Sequence, residues 1–484
     1  MKESQNGKYV FSMLDCCLLL ILTIISFYTR LYRIAFPSSI SFDEVHFGNF
    51  SSWYINHRFH FDIHPPLAKM IMGLIGAMTQ YEGNINFGIR DSNDYTINEH
   101  FYVSQRITCG IFSSMVAPLL FCACRCLHLS SSCSFFGGLT MAMDTTTMVE
   151  GRFILSDGIL HFFSALHIFS LSLFFDKPTF LRNLFAGITL GASFSCKYTA
   201  LCMIALDGIT QVVWIFVNWP PFSSIFKRAL TFILPAIITF LTVWNIHFII
   251  TPYTGHCSHY YQYPETLFPY ESNLTQYWGK RLLGPGMIKR IIKWNQVMHG
   301  VNVRSKIPHP SDSMPLNWPL MRDHWVFFNS GRNGERVVCL GNPFVYWSST
   351  ISIGLTIFFS IFKKMKWQNA FLLLGWSVSY FPFILVPRTM YNYHYIIPLM
   401  FTVLNMFAML DCFGTYGVAF AFIVSYSCVW SLHYFSPWIF FFPIEDGDNK
   451  LLWMIQWTNG PNPVVNDFGL DMFNTTEKFA SLSF

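Results

Sequence analysis

Asp43 and Glu44 form an adjacent carboxylate pair shortly after the first apolar run of the chain. Neighbouring side chains on a helix point about 100° apart, so the two are not bound to one task. One can take a proton from an attacking group while the other holds a loop or a substrate. Ser41 and Asp43 are also good helix N-cap residues, which is the competing reading of the motif. Further polar groups recur at the edges of apolar runs: Arg106, Glu150, Arg152, Asp157, Lys197, Arg388 and His394. Ionisable groups at membrane depth are costly and mark pathways or sites. The alternative is snorkelling, in which each Lys or Arg lifts its charge to the headgroups. Cations beside carboxylates at an outer rim suit a lipid-phosphate substrate: the cations hold the phosphate and a carboxylate activates the attacking group. His57, His60 and His64 are spaced by three and four, which on a helix aligns metal ligands. The intervening Phe61-Asp62-Ile63 and the following Pro65-Pro66 favour an irregular segment, so no metal site is expected.

A membrane must position these groups. Of 484 residues, 52% are hydrophobic and 12% charged, and 52 are Phe; a soluble domain carries about 25% charge. The expected fold is an all-α polytopic membrane protein with spans at 11–33, 102–126, 133–150, 153–175, 182–195, 199–218, 229–250, 344–362, 367–386, 394–412 and 415–434. Lys177, Arg182, Lys227, Arg228, Lys363, Lys364 and Lys366 then all fall in gaps on one side, which the positive-inside rule makes cytosolic. The first run lacks a small-residue cleavage pattern and reads as a retained anchor. The net charge of +5 is small, and no nucleic-acid footprint accompanies it.

The threading divides the chain into 1–33 (cytosolic N-terminus and first span), 34–100 (first outer loop), 101–250 (spans two to seven), 251–343 (second outer loop), 344–434 (spans eight to eleven) and 435–484 (outer tail). Leu67, Met70, Ile71, Leu74, Ile75 and Met78 predict a short interfacial helix after Pro65-Pro66. A second apolar patch lies in the tail at Leu451 to Trp457. Sequons at Asn49, Asn273 and Asn474 all fall on the outer side as possible glycosylation sites. Of 13 cysteines, only Cys257 and Cys339 are expected in outer loops. A disulfide between them would close the second loop in an oxidising compartment; both remaining free is the alternative.

Ser41-Phe42-Asp43-Glu44-Val45-His46-Phe47-Gly48 and Phe61-Asp62-Ile63-His64-Pro65-Pro66-Leu67 resemble the first lumenal loop of the protein O-mannosyltransferase family. Further similarities run in order: Gly151-Arg152-Phe153-Ile154-Leu155, Ser195-Cys196-Lys197-Tyr198, His309-Pro310-Ser311-Asp312-Ser313, Trp318-Pro319-Leu320, Leu340-Gly341-Asn342-Pro343, and Arg388 with Tyr393-His394-Tyr395. The resemblance implies a GT-C type glycosyltransferase of the endoplasmic reticulum membrane with a lumenal active site. It would use dolichyl phosphate mannose as donor and Ser or Thr hydroxyls of secretory-pathway proteins as acceptors. It implies Asp43 as catalytic base, Glu44 as its partner in arranging the acceptor, and Arg106, Lys197 and Arg388 as the donor-phosphate group. His64, Arg152 and His394 would support the site. Inversion at the anomeric carbon, no cofactor beyond the lipid-linked donor, and pairing as a homo- or heterodimer also follow from the resemblance alone.

Two departures stand out. Typical eukaryotic members insert MIR modules in the second large lumenal loop, and residues 251–343 lack room for them. Asp144-Thr145 and Glu150-Gly151 also replace the residues expected between spans three and four. Competing functions are another polyprenyl-phosphate sugar transferase of the same fold, acting on a lipid or glycan, and a transporter or membrane scaffold. A transporter site is expected near the midplane with repeats or broken helices, whereas the ionisable groups here gather at the outer rim.

Overall fold

The computed structural model of the chain describes residues 11–85, 87, 94–96, 100–251, 285–304, 309, 311–362, 365–386, 388–444, 450–454 and 457. Its helices, in chain order, begin with α1 (Met13–Leu31), α2 (Glu44–Ile55), α3 (Leu67–Met78), α4 (Phe101–Ser114), α5 (Val116–Cys126), α6 (Ser131–Ala142), α7 (Thr145–Glu150) and α8 (Asp157–Asp176). They continue with α9 (Phe180–Phe194), α10 (Leu201–Asn218), α11 (Phe222–Ile250), α12 (Pro285–Arg304), α13 (Pro343–Ile361), α14 (Trp367–Ile384), α15 (Ile396–Asp411) and α16 (Gly414–Phe440). Strands β1 (Val326–Ser330) and β2 (Arg336–Cys339) form an antiparallel hairpin with an irregularity between Phe327 and Asn329.

Local chemistry sets several boundaries. Ser12 and Asp15 form a reciprocal capping box that starts α1. Ser130, Asp144 and Thr179 cap α6, α7 and α9. Asn342 caps α13 and is followed by Pro343 in the first turn. Among the described residues, eight helical stretches are long and apolar enough to cross a membrane: 13–31, 101–126, 157–176, 198–218, 222–250, 343–361, 392–411 and 414–440. The chain is thus multi-pass. The remaining predicted spans fall on α6–α7, α9 and α14.

Two spans differ from expectation in detail. The predicted span 133–150 is broken, because Asp144 ends the approach from α6 and caps the short α7. The short run 182–195 is a 15-residue helix that packs tightly on α11. A Cβ at Gly187 or Gly191 would run into the carbonyl oxygens of Phe232 and Ala236, so glycine permits this backbone approach. The last helix also runs past the expected end at 434, to Phe440.

The predicted interfacial helix is α3. Its inward face is mostly small, with Ala68, Gly73 and Gly76 buried beside Lys69 and Met72, while Leu74 and Met78 of the apolar stripe are exposed. The stripe therefore faces outward, as a helix lying against lipid requires.

Helix α12 and the hairpin were not legible as elements in the second loop. They fold onto the first loop at one end of the bundle. Phe59 and Phe61 pack with Trp244, Phe248, Trp294 and Met298, and Asn302 donates to the Ile63 carbonyl at 2.7 Å. Asn329 donates to Ser39 and Ser41 hydroxyls at 3.0 and 2.8 Å. In the tail, Trp457 is buried and donates to the Met321 carbonyl at 2.9 Å. Asn49 lies inside α2, buried, with its side-chain oxygen accepting from the Phe87 amide. This corrects the expectation of a glycan there, since the side chain is spent on packing. Asn273, Asn474 and Cys257 lie outside the described residues.

Candidate active site

Asp43 sits at the N-cap position of α2, yet its side chain makes no capping hydrogen bond. Residue 42 explains the geometry. Phe42 has φ +47, in the left-handed region that a bulky side chain rarely adopts. Its ring is locked by stacking on Phe328 of β1 (4.6 Å) and by edge contacts with Tyr391 and Tyr393 (6.3 Å each). Its amide donates to the Phe328 carbonyl at 3.2 Å. Strain of this kind persists only where surrounding packing over-determines it. The half-buried Asp43 carboxyl lies in the field of His46 on the same helix and of Lys197, Asp157 and His309. Burial raises the Asp43 carboxyl above its ordinary range, and His46 and Lys197 oppose that shift.

Glu44 is used differently. It is fully buried. Its Oε1 accepts from Arg106 Nε (2.7 Å) and the Ile154 amide (3.0 Å). Its Oε2 accepts from Arg106 Nη2 (2.7 Å), the Ser41 amide (2.9 Å) and the Tyr95 hydroxyl (3.3 Å). Arg106 spends its other donors on the carbonyls of Pro37 (2.7 Å) and Ser39 (3.0 Å), and its guanidinium lies 4.8 Å from the Phe153 ring. This corrects two expectations. Arg106 has no face left for a donor phosphate, and Glu44 has no oxygen left for an acceptor. The pair ties the first loop to α4 and to the turn before α8.

Arg152 is likewise structural. It donates to the carbonyls of Thr29 (3.4 Å) and Arg33 (3.2 Å) and lies 4.9 Å from the Phe440 ring. Its charge serves the end of α1, outside the expected supporting role.

Lys197, Arg388, His64 and His394 do gather. Lys197 Nζ meets Asp157 Oδ1 at 2.9 Å and Oδ2 at 3.2 Å, and stands 5.6 Å from the Tyr393 ring centre. Arg388 bonds through Nη1 to Asn302 of α12, which fixes the turn before α15 against the second loop. Burial, together with the charges of Lys197, Lys69 and Arg388, holds the His64 ring well below the ordinary histidine range, so it is neutral. His64 Nδ1 is buried without a hydrogen-bond partner. His394 shares Nδ1 with the Tyr391 carbonyl at 3.0 Å and stacks on Tyr393 (4.8 Å) and Trp318 (6.2 Å). Lys197 and Arg388 thus share one electrostatic neighbourhood with His64 and His394, and cations of this kind suit an anion.

The other histidines point elsewhere. His57 Nδ1 meets the Ile250 carbonyl at 3.0 Å, and His60 is enclosed by Phe50, Trp53, Tyr54 and His247 rings. Cys339 is a free buried thiol on β2, hydrogen-bonded to Glu150. Its expected partner Cys257 lies outside the described residues. His309 flanks Asp43, held by its Nδ1 accepting from Ser311 and by Tyr391 at 5.1 Å. Phe328 and Asn329, which hold the strained turn, carried no signal in the sequence, since an unrecognised hairpin supplies them.

The family model described as dolichyl-phosphate-mannose-protein mannosyltransferase matches residues 20–261. That of the C-terminal four TMM region of protein-O-mannosyltransferase matches residues 287–459. The chain belongs to the protein O-mannosyltransferase family. A dolichyl-phosphate-mannose–protein mannosyltransferase 2 of Candida albicans is 29% identical over 246 residues, 47% of this chain and 32% of that protein. A protein O-mannosyl-transferase 2 of Danio rerio is 30% identical over 253 residues, 49% of this chain and 33% of that protein. The chain thus spans about a third of the length of these curated relatives in the matched region. The structure of the Saccharomyces cerevisiae protein O-mannosyltransferase Pmt1-Pmt2 complex bound to the sugar donor superimposes with a TM-score of 0.81. It is 18% identical and covers 93% of both chains. This family member therefore has the polytopic GT-C fold.

Proposed function

We propose that this mannosyltransferase-family protein transfers mannose from dolichyl phosphate mannose to Ser or Thr hydroxyls of proteins, with Asp43 as base. The observation that carries the reading is the Asp43 carboxyl, free of any capping bond and in the field of Lys197, which in turn acts on His64 together with Arg388 and His394. The acceptor oxygen attacks the anomeric carbon while its proton passes to a carboxylate oxygen of Asp43. The bond from the anomeric carbon to the phosphate oxygen breaks, and its electron pair stays on the phosphate. Lys197 and Arg388 stabilise the charge that grows there. A carboxylate raised by burial is a stronger proton acceptor than an exposed one.

A single displacement of this kind inverts the anomeric centre. Dolichyl phosphate leaves readily, so the scheme uses no cofactor. The excess of Lys and Arg in the opposite gaps supports a site on the lumenal side of the endoplasmic reticulum membrane. The two-protein complex solved for the yeast relatives supports pairing with another family member or a second copy.

The test is transfer by purified protein in detergent from dolichyl phosphate mannose to a Ser/Thr-rich peptide, with a lipid-linked glycan as the alternative acceptor. Mannosylated peptide is expected. Transfer to the glycan alone would replace the protein acceptor in this reading.

A further inference from the structure

Among the described residues, the buried carboxylates at the site differ in how fully they are satisfied. Glu44 is saturated by five donors. Both oxygens of Asp157 are held by Lys197. Glu150 is 1% exposed, and its Oε1 has no hydrogen-bond partner. Its carboxyl meets the Cys339 thiol and lies in the field of Asp157, Lys197 and Asp43, in that order. A buried acceptor left empty costs stability unless something fills it in the working state.

The position of Glu150 is rigid. It ends α7, whose start is fixed by Asp144 accepting from the Thr147 amide (2.8 Å) and hydroxyl (2.6 Å). The Tyr346 hydroxyl bonds Thr146 at 3.1 Å. Asp43 lies in the field of His46, Lys197, Asp157 and His309, and Glu150 in that of Asp157, Lys197 and Asp43. A hexose held between Asp43 and a phosphate at Lys197 would therefore enter the same cluster of groups as Glu150.

We propose that Glu150 recognises the transferred hexose, its unpartnered Oε1 accepting a hydrogen bond from one ring hydroxyl. This rests on the donor reading given above, and it makes Glu150 a specificity-determining residue.

The test compares the wild type, Glu150→Ala and Glu150→Gln on dolichyl phosphate mannose and its four monodeoxy analogues, with dolichyl phosphate binding measured in parallel. The wild type should use one deoxy donor about 2–10-fold less well in kcat/KM, the range for a single net hydrogen bond. Glu150→Ala should treat that donor and the parent alike. Glu150→Gln, which keeps one acceptor oxygen, should recover part of the preference. Dolichyl phosphate, which carries no hexose, should bind all three proteins equally. Discrimination that survives in both variants overturns the proposal, as does a loss of dolichyl phosphate affinity equal to the loss for the donor. If Glu150→Ala does not fold, the isosteric Gln variant decides on the same two measurements. A wild type that uses no dolichyl phosphate mannose overturns the donor reading and this inference together, whereas an active wild type with unchanged variants removes Glu150 alone.

Discussion

Arg106 and Glu44 meet through two parallel N–H···O bonds, each 2.7 Å, with both side chains fully buried. A buried bidentate pair is a fixed joint, and breaking one side leaves the other charge uncompensated. Arg106→Ala should cost on the order of 3–5 kcal/mol. Arg106→Lys should recover little, because an ammonium cannot supply the parallel fork. Unfolding in detergent measures the loss. Dolichyl phosphate affinity of the folded fraction should stay near wild type; a selective fall there would return Arg106 to phosphate binding.

Asp43→Asn keeps size and most polarity but removes the proton acceptor. Turnover should fall about 10²–10⁴-fold, the range of a positioned general base, while dolichyl phosphate still binds. Near-normal turnover would shift the base to another group. Glu44→Gln should instead lower stability, since its carboxylate contacts only protein donors.

The Asp43 carboxyl is raised by burial, and the sign of its pH dependence follows. The base works only when deprotonated, so activity is lost as pH falls through the raised value. The acid limb of kcat/KM should therefore lie above the ordinary aspartate range. Stability runs the other way: burying the charged form costs stability above that value, and the cost disappears as pH falls through it. A pH–rate profile checks this. The limb should be absent from the residual activity of Asp43→Asn.

The helices were legible because length and hydropathy are local. Residues 67–78 show the same for the amphipathic helix: the stripe was read correctly, although only the structure shows that it faces outward. Asp43 and Lys197 were singled out through motifs, but the motif did not separate the surroundings of Asp43 from those of Glu44. That difference depends on contacts with Arg106, Tyr95 and Ile154, distant in sequence. The strained Phe42 depends on a hairpin that hydropathy does not reveal. Charge at a rim was also a poor guide by itself, since Arg106 and Arg152 are committed to backbone carbonyls while Lys197 pairs with Asp157.

Lys197 holds Asp157 through both carboxylate oxygens. Lys197→Ala removes a phosphate partner and also strands a buried anion, so both stability and donor affinity should fall. Adding Asp157→Asn should restore much of the stability without restoring donor affinity. A donor titration and an unfolding curve on the single and double variants separate the two effects. Donor affinity that returns with stability would make Lys197 purely structural.

One buried polar group joins three helices. His167 of α8 bonds Asp207 of α10 at 3.0 Å and Thr189 of α9 at 3.1 Å, and Thr189 also bonds Ser170 at 2.7 Å. Both ionisable side chains are buried. His167 follows Asp157 by ten positions on one helix, about 15 Å along its axis, too far to touch the reacting atoms. Polar contacts between membrane helices average about 0.6 kcal/mol in measured cycles, with model peptides giving about 1–2. A stranded carboxylate costs more than either. His167→Leu should therefore destabilise more than the His167→Leu/Asp207→Leu double variant, in which no charge is left behind. The kcat/KM of the folded double variant should lie within about threefold of wild type, since a change that small is under 1 kcal/mol. Unfolding midpoints and initial rates on the two proteins decide the matter. A double variant that is stable but loses turnover by a hundredfold or more would show that this group serves the reaction and not only the packing of α8, α9 and α10.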